Sequence, residues 1–358
     1  QLPDIDPSAT GLPGGGQIAE PHDDVASGRF ELAQFAADLH QVWRGEAASE
    51  YGDPEEFFRR TYITEGLREL LLTAVRRFTG SGGDPVIKLQ TNFGGGKTHS
   101  LIALYHLASG RPATELPGVE QMLADASLAL PAEPVRRAVL VGQQLQPSTV
   151  LTKPDGTEVR TIWGELAWQL GGAEGYALVA DADRAGVNPG EALTTLLHRF
   201  APCIILIDEW VAYARNLYGV SGLPAGSFDA QFSFAQALTD AARNEPRALL
   251  VATIPASDIE VGGEGGRAAL ERLENVIGRM EATWRTATTE ESYEIVRRRL
   301  FKDLTPEQAR LRDAVVNAFS EMYAGASGEF PTDCKEAEYK RRMRAAYPIH
   351  PELFDRLF

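Results

Sequence analysis

The sequence predicts an α/β protein with a doubly wound parallel sheet, followed by a small all-helical part. Three observations predict it. Short, mostly apolar runs recur at 85–89, 137–141, 203–207 and 248–253, that at 203–207 unbroken, as expected of parallel strands buried on both faces. Helical stretches separate these runs, and strands alternating with helices build βαβ units. From about Thr289 the pattern is helical only, over 290–301, 306–323 and a basic stretch ending near Ala346.

Each element has its own signal. Residues 1–20 are rich in Pro, Gly and small residues and read as a loose arm. Helices are expected over 31–44, 54–60 and 64–78, the last with Leu67, Leu70, Leu71 and Val75 at helical spacing. Gly80-Ser81-Gly82-Gly83 closes that helix and leads to the first strand. After a helix over 97–109 and a polar connection comes the strand at 137–141. Lys153-Pro154-Asp155-Gly156 between two β-branched runs marks a hairpin. A helix over 162–170, ended by Gly171-Gly172, and another over 191–200 lead to the third strand. A helix over 230–243 precedes the strand at 248–253, and a helix over 267–280 precedes a last strand near 282–285.

The most informative stretch follows the first strand: Gln90-Thr91-Asn92-Phe93-Gly94-Gly95-Gly96-Lys97-Thr98-His99. Glycines let backbone N–H groups close around phosphate oxygens, where a Cβ would crowd the approach. Lys97 is suited to the β/γ-phosphates and the Thr98 hydroxyl to Mg²⁺, with the positive end of the following helix at the same spot. Asn92, Phe93, Gly94, Gly95, Gly96, Lys97, Thr98 and His99 are therefore the candidate nucleotide-binding residues. Thr91 replaces the first glycine of the usual G-x-x-x-x-G-K-[ST] form. That position eases the exit from the strand, so the chemistry is expected to survive with an altered turn.

The partner signal lies about a hundred residues on. The run Cys203-Ile204-Ile205-Leu206-Ile207 ends in Asp208-Glu209, and acids at the carboxyl end of a parallel strand line the crevice where such sheets bind ligands. Asp208 is expected to hold Mg²⁺ through water, and Glu209 to polarise the water that attacks the γ-phosphate. An acidic pair ending a strand is by itself often a solvated turn; the upstream loop favours the hydrolytic reading.

Composition sets outer bounds. At 358 residues the chain can bury a large core and is expected to hold two domains. No apolar run approaches the ~20 residues of a membrane span, and Gln1-Leu2-Pro3-Asp4 lacks a signal-peptide pattern. Two cysteines make no disulfide framework, which points to the cytoplasm. The formal charge of −15 argues against DNA binding through the general surface. The basic clusters Arg297-Arg298-Arg299 and Lys340-Arg341-Arg342-Met343-Arg344 read as solvated helix faces. His99 and His106 lie two helical turns apart, too far to share one ion.

The phosphate-loop string, Thr161-Ile162-Trp163-Gly164-Glu165-Leu166-Ala167-Trp168, Leu206-Ile207-Asp208-Glu209-Trp210 and Arg297-Arg298-Arg299-Leu300-Phe301 resemble the large bacterial AAA-type P-loop ATPases that carry a long-uncharacterised conserved domain. Those proteins are found beside DNA methyltransferases in phage-defence and restriction-like loci, and are related more distantly to the PglY/BrxC ATPases. The resemblance runs from about Pro21 to Phe358. It implies a P-loop NTPase fold with a helical lid, ATP and Mg²⁺ as ligands, a homo-oligomer (a ring among the options), defence-system partners such as a DNA methyltransferase, and a longer protein. An uncapped amphipathic pattern over 351–358 also suggests continuation. The expected layout is an arm at 1–20, an ATPase domain at 21–288 and a lid at 289–358.

Further catalytic candidates come from position. Thr253 ends the strand expected beside the phosphate loop, where a polar residue often orients the attacking water; a β-branched residue ending a strand is also ordinary. Arg279 is best placed to serve a neighbouring subunit as an arginine finger, with Arg272 and Arg285 as alternatives. Two functions remain open: an ATP-driven remodeller, or a switch in which ATP sets an assembly state with little turnover. The hairpin favours the first, since ring ATPases grip substrate with such loops, and its lack of a tip aromatic favours the second.

Overall fold

The computed structural model describes residues 18–27, 37–90, 96–255, 261–277, 288–326 and 330–353. The chain divides into two compact units, one of residues 37–59 and 65–286, the other of residues 1–36, 60–64 and 287–358.

The larger unit is α/β. Its elements are α1 (Leu39–Arg44), α2 (Pro54–Arg60), α3 (Glu65–Thr79), β1 (Val86–Leu89), α4 (Lys97–Leu107), α5 (Val119–Asp125), β2 (Arg136–Val141), β3 (Leu151–Thr152), β4 (Glu158–Val159), α6 (Ile162–Ala177), α7 (Ala180–Ala185), α8 (Ala192–Phe200), β5 (Cys203–Asp208), α9 (Trp210–Arg215), α10 (Phe228–Asn244), β6 (Ala248–Thr253) and α11 (Gly263–Ile277). The sheet is parallel with the order β1-β6-β5-β2. Every residue of β5 and β6 is buried, which is why both read as continuous apolar runs. Alternation along the strands divides the core. Cys203, Ile205, Ile207, Ala248, Leu250 and Ala252 point into a cluster with Trp163, Trp210, Phe234 and Leu273. The alternate residues, Asp208 and Thr253 among them, face the side covered by α3 and α4. Burying a Leu, Ile or Phe side chain stabilises by about 1.5–3 kcal/mol, so this two-sided core dominates the unit's stability.

Polar groups close the other end of the sheet. The buried Arg77 guanidinium donates to the carbonyls of Ala248, Ala242 and Glu245. It thereby satisfies carbonyls at the end of α10 and the start of β6 that would otherwise be orphaned.

Several expectations need adjusting. The helix placed at 31–44 is described only as α1, capped by Asp38, whose carboxylate accepts from His40 N and Gln41 N. The helix expected to end at Gly171-Gly172 does break there, at Gly172 (φ 58°, ψ −144°), and a second helical stretch, not expected, runs on to Ala177. Gly172 takes a backbone conformation that suits glycine, and the chain then re-enters helix. Helices α5, α7 and α9 were not expected; each has only six or seven residues, too few for a clear apolar stripe. The strand expected near 282–285 lies outside the described residues.

In the second unit α12 (Thr289–Leu300), α13 (Pro306–Gly325) and α14 (Ala337–Ala346) follow in order. Thr288 and Thr305 form capping boxes with Glu291 and Gln308 at the starts of α12 and α13. The expected loose arm is not loose at its end. Ile18 and Ala19 are buried against Val315, Val316, Tyr323 and Met343, Pro21 bridges to Phe301, and the His22 ring bonds the Arg298 carbonyl.

Candidate functional site

Sheet order and burial gather the candidate groups at one edge. Because β6 lies between β1 and β5, the carboxyl ends of all three strands meet, and Asp208, Glu209 and Thr253 emerge there with the start of α4. Residues 91–95, which include Thr91, Asn92, Phe93, Gly94 and Gly95, lie outside the described residues, as do Arg279 and Arg285. The chain resumes at Gly96, which caps α4 without a side-chain bond, so Lys97 and Thr98 occupy the first turn. N–H groups of a first turn have no partner within the helix and favour an anion.

The centre of the site is the Asp208 carboxylate, 5% exposed. Thr98 Oγ1 donates to its Oδ2 at 3.0 Å, and Thr253 Oγ1 donates to its Oδ1 at 2.6 Å. The same Thr253 hydroxyl accepts from Glu209 N at 3.0 Å. One threonine thus holds both residues of the acidic pair. Glu209 itself is left-handed (φ 55°, ψ 38°), a costly conformation for a residue with a Cβ and one that concentrates at functional positions. Burial, then Asp208, then Asp38 push its carboxyl up to about 7, against the opposing pull of Arg215 and Lys97. A carboxyl near 7 can exchange a proton at neutral pH, which suits a general base.

The donor set fits Mg²⁺. Thr98 and Asp208 supply hard oxygens on adjoining elements, and magnesium is commonly held by one or two carboxylates together with substrate phosphates. Among the described residues no group of three or more His, Cys, Asp or Glu could hold a metal ion.

Other candidates fall elsewhere. The His99 ring packs on Phe57 of α2 at 4.7 Å between centroids, so it braces α4 against its neighbour. Arg272 on α11 pairs with Asp229 and lies over the Phe232 ring; it is engaged within its own chain. The hairpin β3–β4 exists, yet its turn is tied down. Lys153 Nζ lies 2.5 Å from the buried Glu165 and over the Trp168 ring, and the Trp168 indole donates to Asp155.

Two contributors were missed in the sequence. Gln90 Nε2 donates to Pro255 O (2.9 Å) and to Glu274 Oε1 (3.2 Å), linking the ends of β1 and β6 to α11. Asp38 adds to the negative field at Glu209. Gln90 was legible as the first residue after a strand; Asp38 carried no signal beyond a capping acid.

The protein is an α/β protein with a four-stranded parallel sheet and an acid–hydroxyl cluster at its carboxyl edge. It belongs to the DUF499 N-terminal domain family, whose profile matches residues 17–290. No curated protein matches the chain.

Proposed function

We propose that this chain binds ATP with Mg²⁺ at the carboxyl edge of the sheet and hydrolyses it, as an AAA-type P-loop module of a larger bacterial defence protein. The observation that carries the reading is the Thr98–Asp208–Thr253–Glu209 cluster beside Lys97. In this reading Lys97 holds the β/γ-phosphates, and Thr98 and Asp208 hold the metal. The metal would supply charge neutralisation on the phosphates. Glu209, kept near neutral pKa by burial, takes the proton of the attacking water, and Thr253 orients the pair.

A switch with slow turnover is the second reading, and one observation favours it. The hairpin that could grip a substrate is fastened to α6 through Lys153–Glu165 and Asp155–Trp168, whereas a gripping loop has to move. Partners such as a DNA methyltransferase, a homo-oligomeric ring and a cytoplasmic location belong to the same proposal. Among the described residues no helix is long and apolar enough to cross a membrane.

The test is titration of a fluorescent ATP analogue into the wild-type chain and into Lys97→Ala, followed by steady-state turnover with and without DNA. Lys97→Ala is expected to lose binding, because the cradle loses its phosphate cation. Equal affinity of the two chains would refute the assignment. Turnover raised by DNA supports the remodeller, and tight binding with little turnover supports the switch.

A further inference from the structure

The left-handed turn at Glu209 needs a neighbour without a side chain. Val141 and Asp208 are paired in the parallel β2–β5 ladder, and Gly142 N donates to Asp208 O at 2.8 Å. Gly142 is therefore the next step of that ladder, beside Glu209. There the β5 chain swings into α9 instead of running on extended, and its carbonyl crosses over the Gly142 α-carbon. A Cβ at 142 would lie 2.0 Å from Glu209 O, 2.8 Å from Glu209 C and 3.2 Å from Tyr213 Cβ.

The Glu209 peptide has little freedom to retreat. Its N–H is held by Thr253 Oγ1 at 3.0 Å. Its carbonyl accepts from Tyr213 N at 3.3 Å, an early hydrogen bond of α9. The next residue, Trp210, is completely buried in the core. With those three anchors in place, the empty space at Gly142 is what admits the turn.

We propose that Gly142 is a positioning residue for Glu209, an inference that rests on the hydrolytic role proposed for that glutamate. Gly142 lies in none of the sequence motifs and has no side chain to reach phosphate or metal; its N–H bonds the backbone carbonyl of Asp208 and not the carboxylate. A methyl group there would lie 2.0 Å from the Glu209 oxygen, so it displaces that carbonyl by roughly 1.5 Å, given contact distances of about 3.5 Å. The carboxylate rides on the same residue, and misplacing a reacting group by about 1 Å costs on the order of 10²-fold in rate.

The test compares wild type, Gly142→Ala, Glu209→Gly and the double variant by urea denaturation, ATP-analogue binding and steady-state turnover. Gly142→Ala is expected to lose about 10²-fold in kcat while its KM and analogue affinity stay within about threefold, since the phosphate cradle is untouched. A glycine at 209 can leave the left-handed turn without strain and let its peptide rotate away from the added methyl. Glu209→Gly should therefore recover stability in the Gly142→Ala background beyond anything it adds to wild type, a positive coupling. The same recovery is read as regained folding if Gly142→Ala alone does not fold. A kcat for Gly142→Ala within about twofold of wild type, or a double variant no more stable than Gly142→Ala, overturns the inference. A wild-type chain that binds or turns over no ATP overturns the functional reading instead, and the stability coupling still decides whether Gly142 sets the place of Glu209.

Discussion

Replacing Thr253 by valine keeps the shape of the side chain and removes its hydroxyl. Two hydrogen bonds disappear together: the 2.6 Å bond to Asp208 Oδ1 and the 3.0 Å bond from Glu209 N. Thr253 and Asp208 are 4% and 5% exposed, so water has poor access to the groups left behind. A hydrogen bond to a charged group contributes about 1.5–3 kcal/mol and one between neutral groups about 0.5–1.5 kcal/mol. Thr253→Val should thus cost about 2–4 kcal/mol. With a urea slope of roughly 3 kcal/mol/M, the denaturation midpoint falls by about 1 M. Thr253→Ser is the control, because it keeps the hydroxyl and loses only a methyl group, about 0.8 kcal/mol. The same pair should separate in turnover, since only serine still ties the Glu209 backbone to Asp208. A valine variant as stable as the serine variant would refute the reasoning, because the clasp at Asp208 would then carry no free energy.

Three further outcomes are expected. Glu209→Gln should bind ATP as wild type does and hydrolyse it roughly 10²-fold more slowly, the usual effect of removing a general base; a wild-type rate in single-turnover assays would require another base. Asp208→Asn should weaken the Mg²⁺ dependence of nucleotide binding, read by titrating the metal at fixed analogue, and an unchanged dependence would move the metal elsewhere. The third concerns His106, which is buried, donates through Nε2 to the Tyr51 carbonyl at 2.6 Å, and is pushed by burial down to about 4. The unfolded ring titrates near about 6.5, so between these values the unfolded chain binds a proton that the folded chain refuses. The stability contributed by the neutral ring is complete above about pH 6.5 and is lost as pH falls toward 4, by at most about 3 kcal/mol. His106→Phe should remove that component from urea midpoints measured at pH 4.5, 5.5 and 7.5; identical pH profiles for the two chains would contradict it.

The sheet was legible in the sequence wherever burial on both faces leaves a continuous apolar run, as at Ile204-Ile205-Leu206-Ile207 and Leu249-Leu250-Val251. The hairpin was legible because Pro154-Asp155-Gly156 specifies a turn locally. Lys97, Thr98 and the acidic pair were legible because their spacing follows from a strand, a loop and a helix in succession. Helices such as α5 and α9 were not, since so short a helix draws its stability from packing and not from its own pattern.

By itself the sequence determined which residue types stand at the ends of the strands, and hence the chemistry available there. Tertiary structure alone decided which ends meet. Inserting β6 between β1 and β5 is a pairing choice between distant segments, and it brings Thr253 onto Asp208 across 45 positions of chain. The left-handed turn of Glu209, the clearance over Gly142 and the burial of Ile18 against Val315 have the same origin. Each depends on a neighbour that is remote in sequence, and local propensity carries no information about such a neighbour.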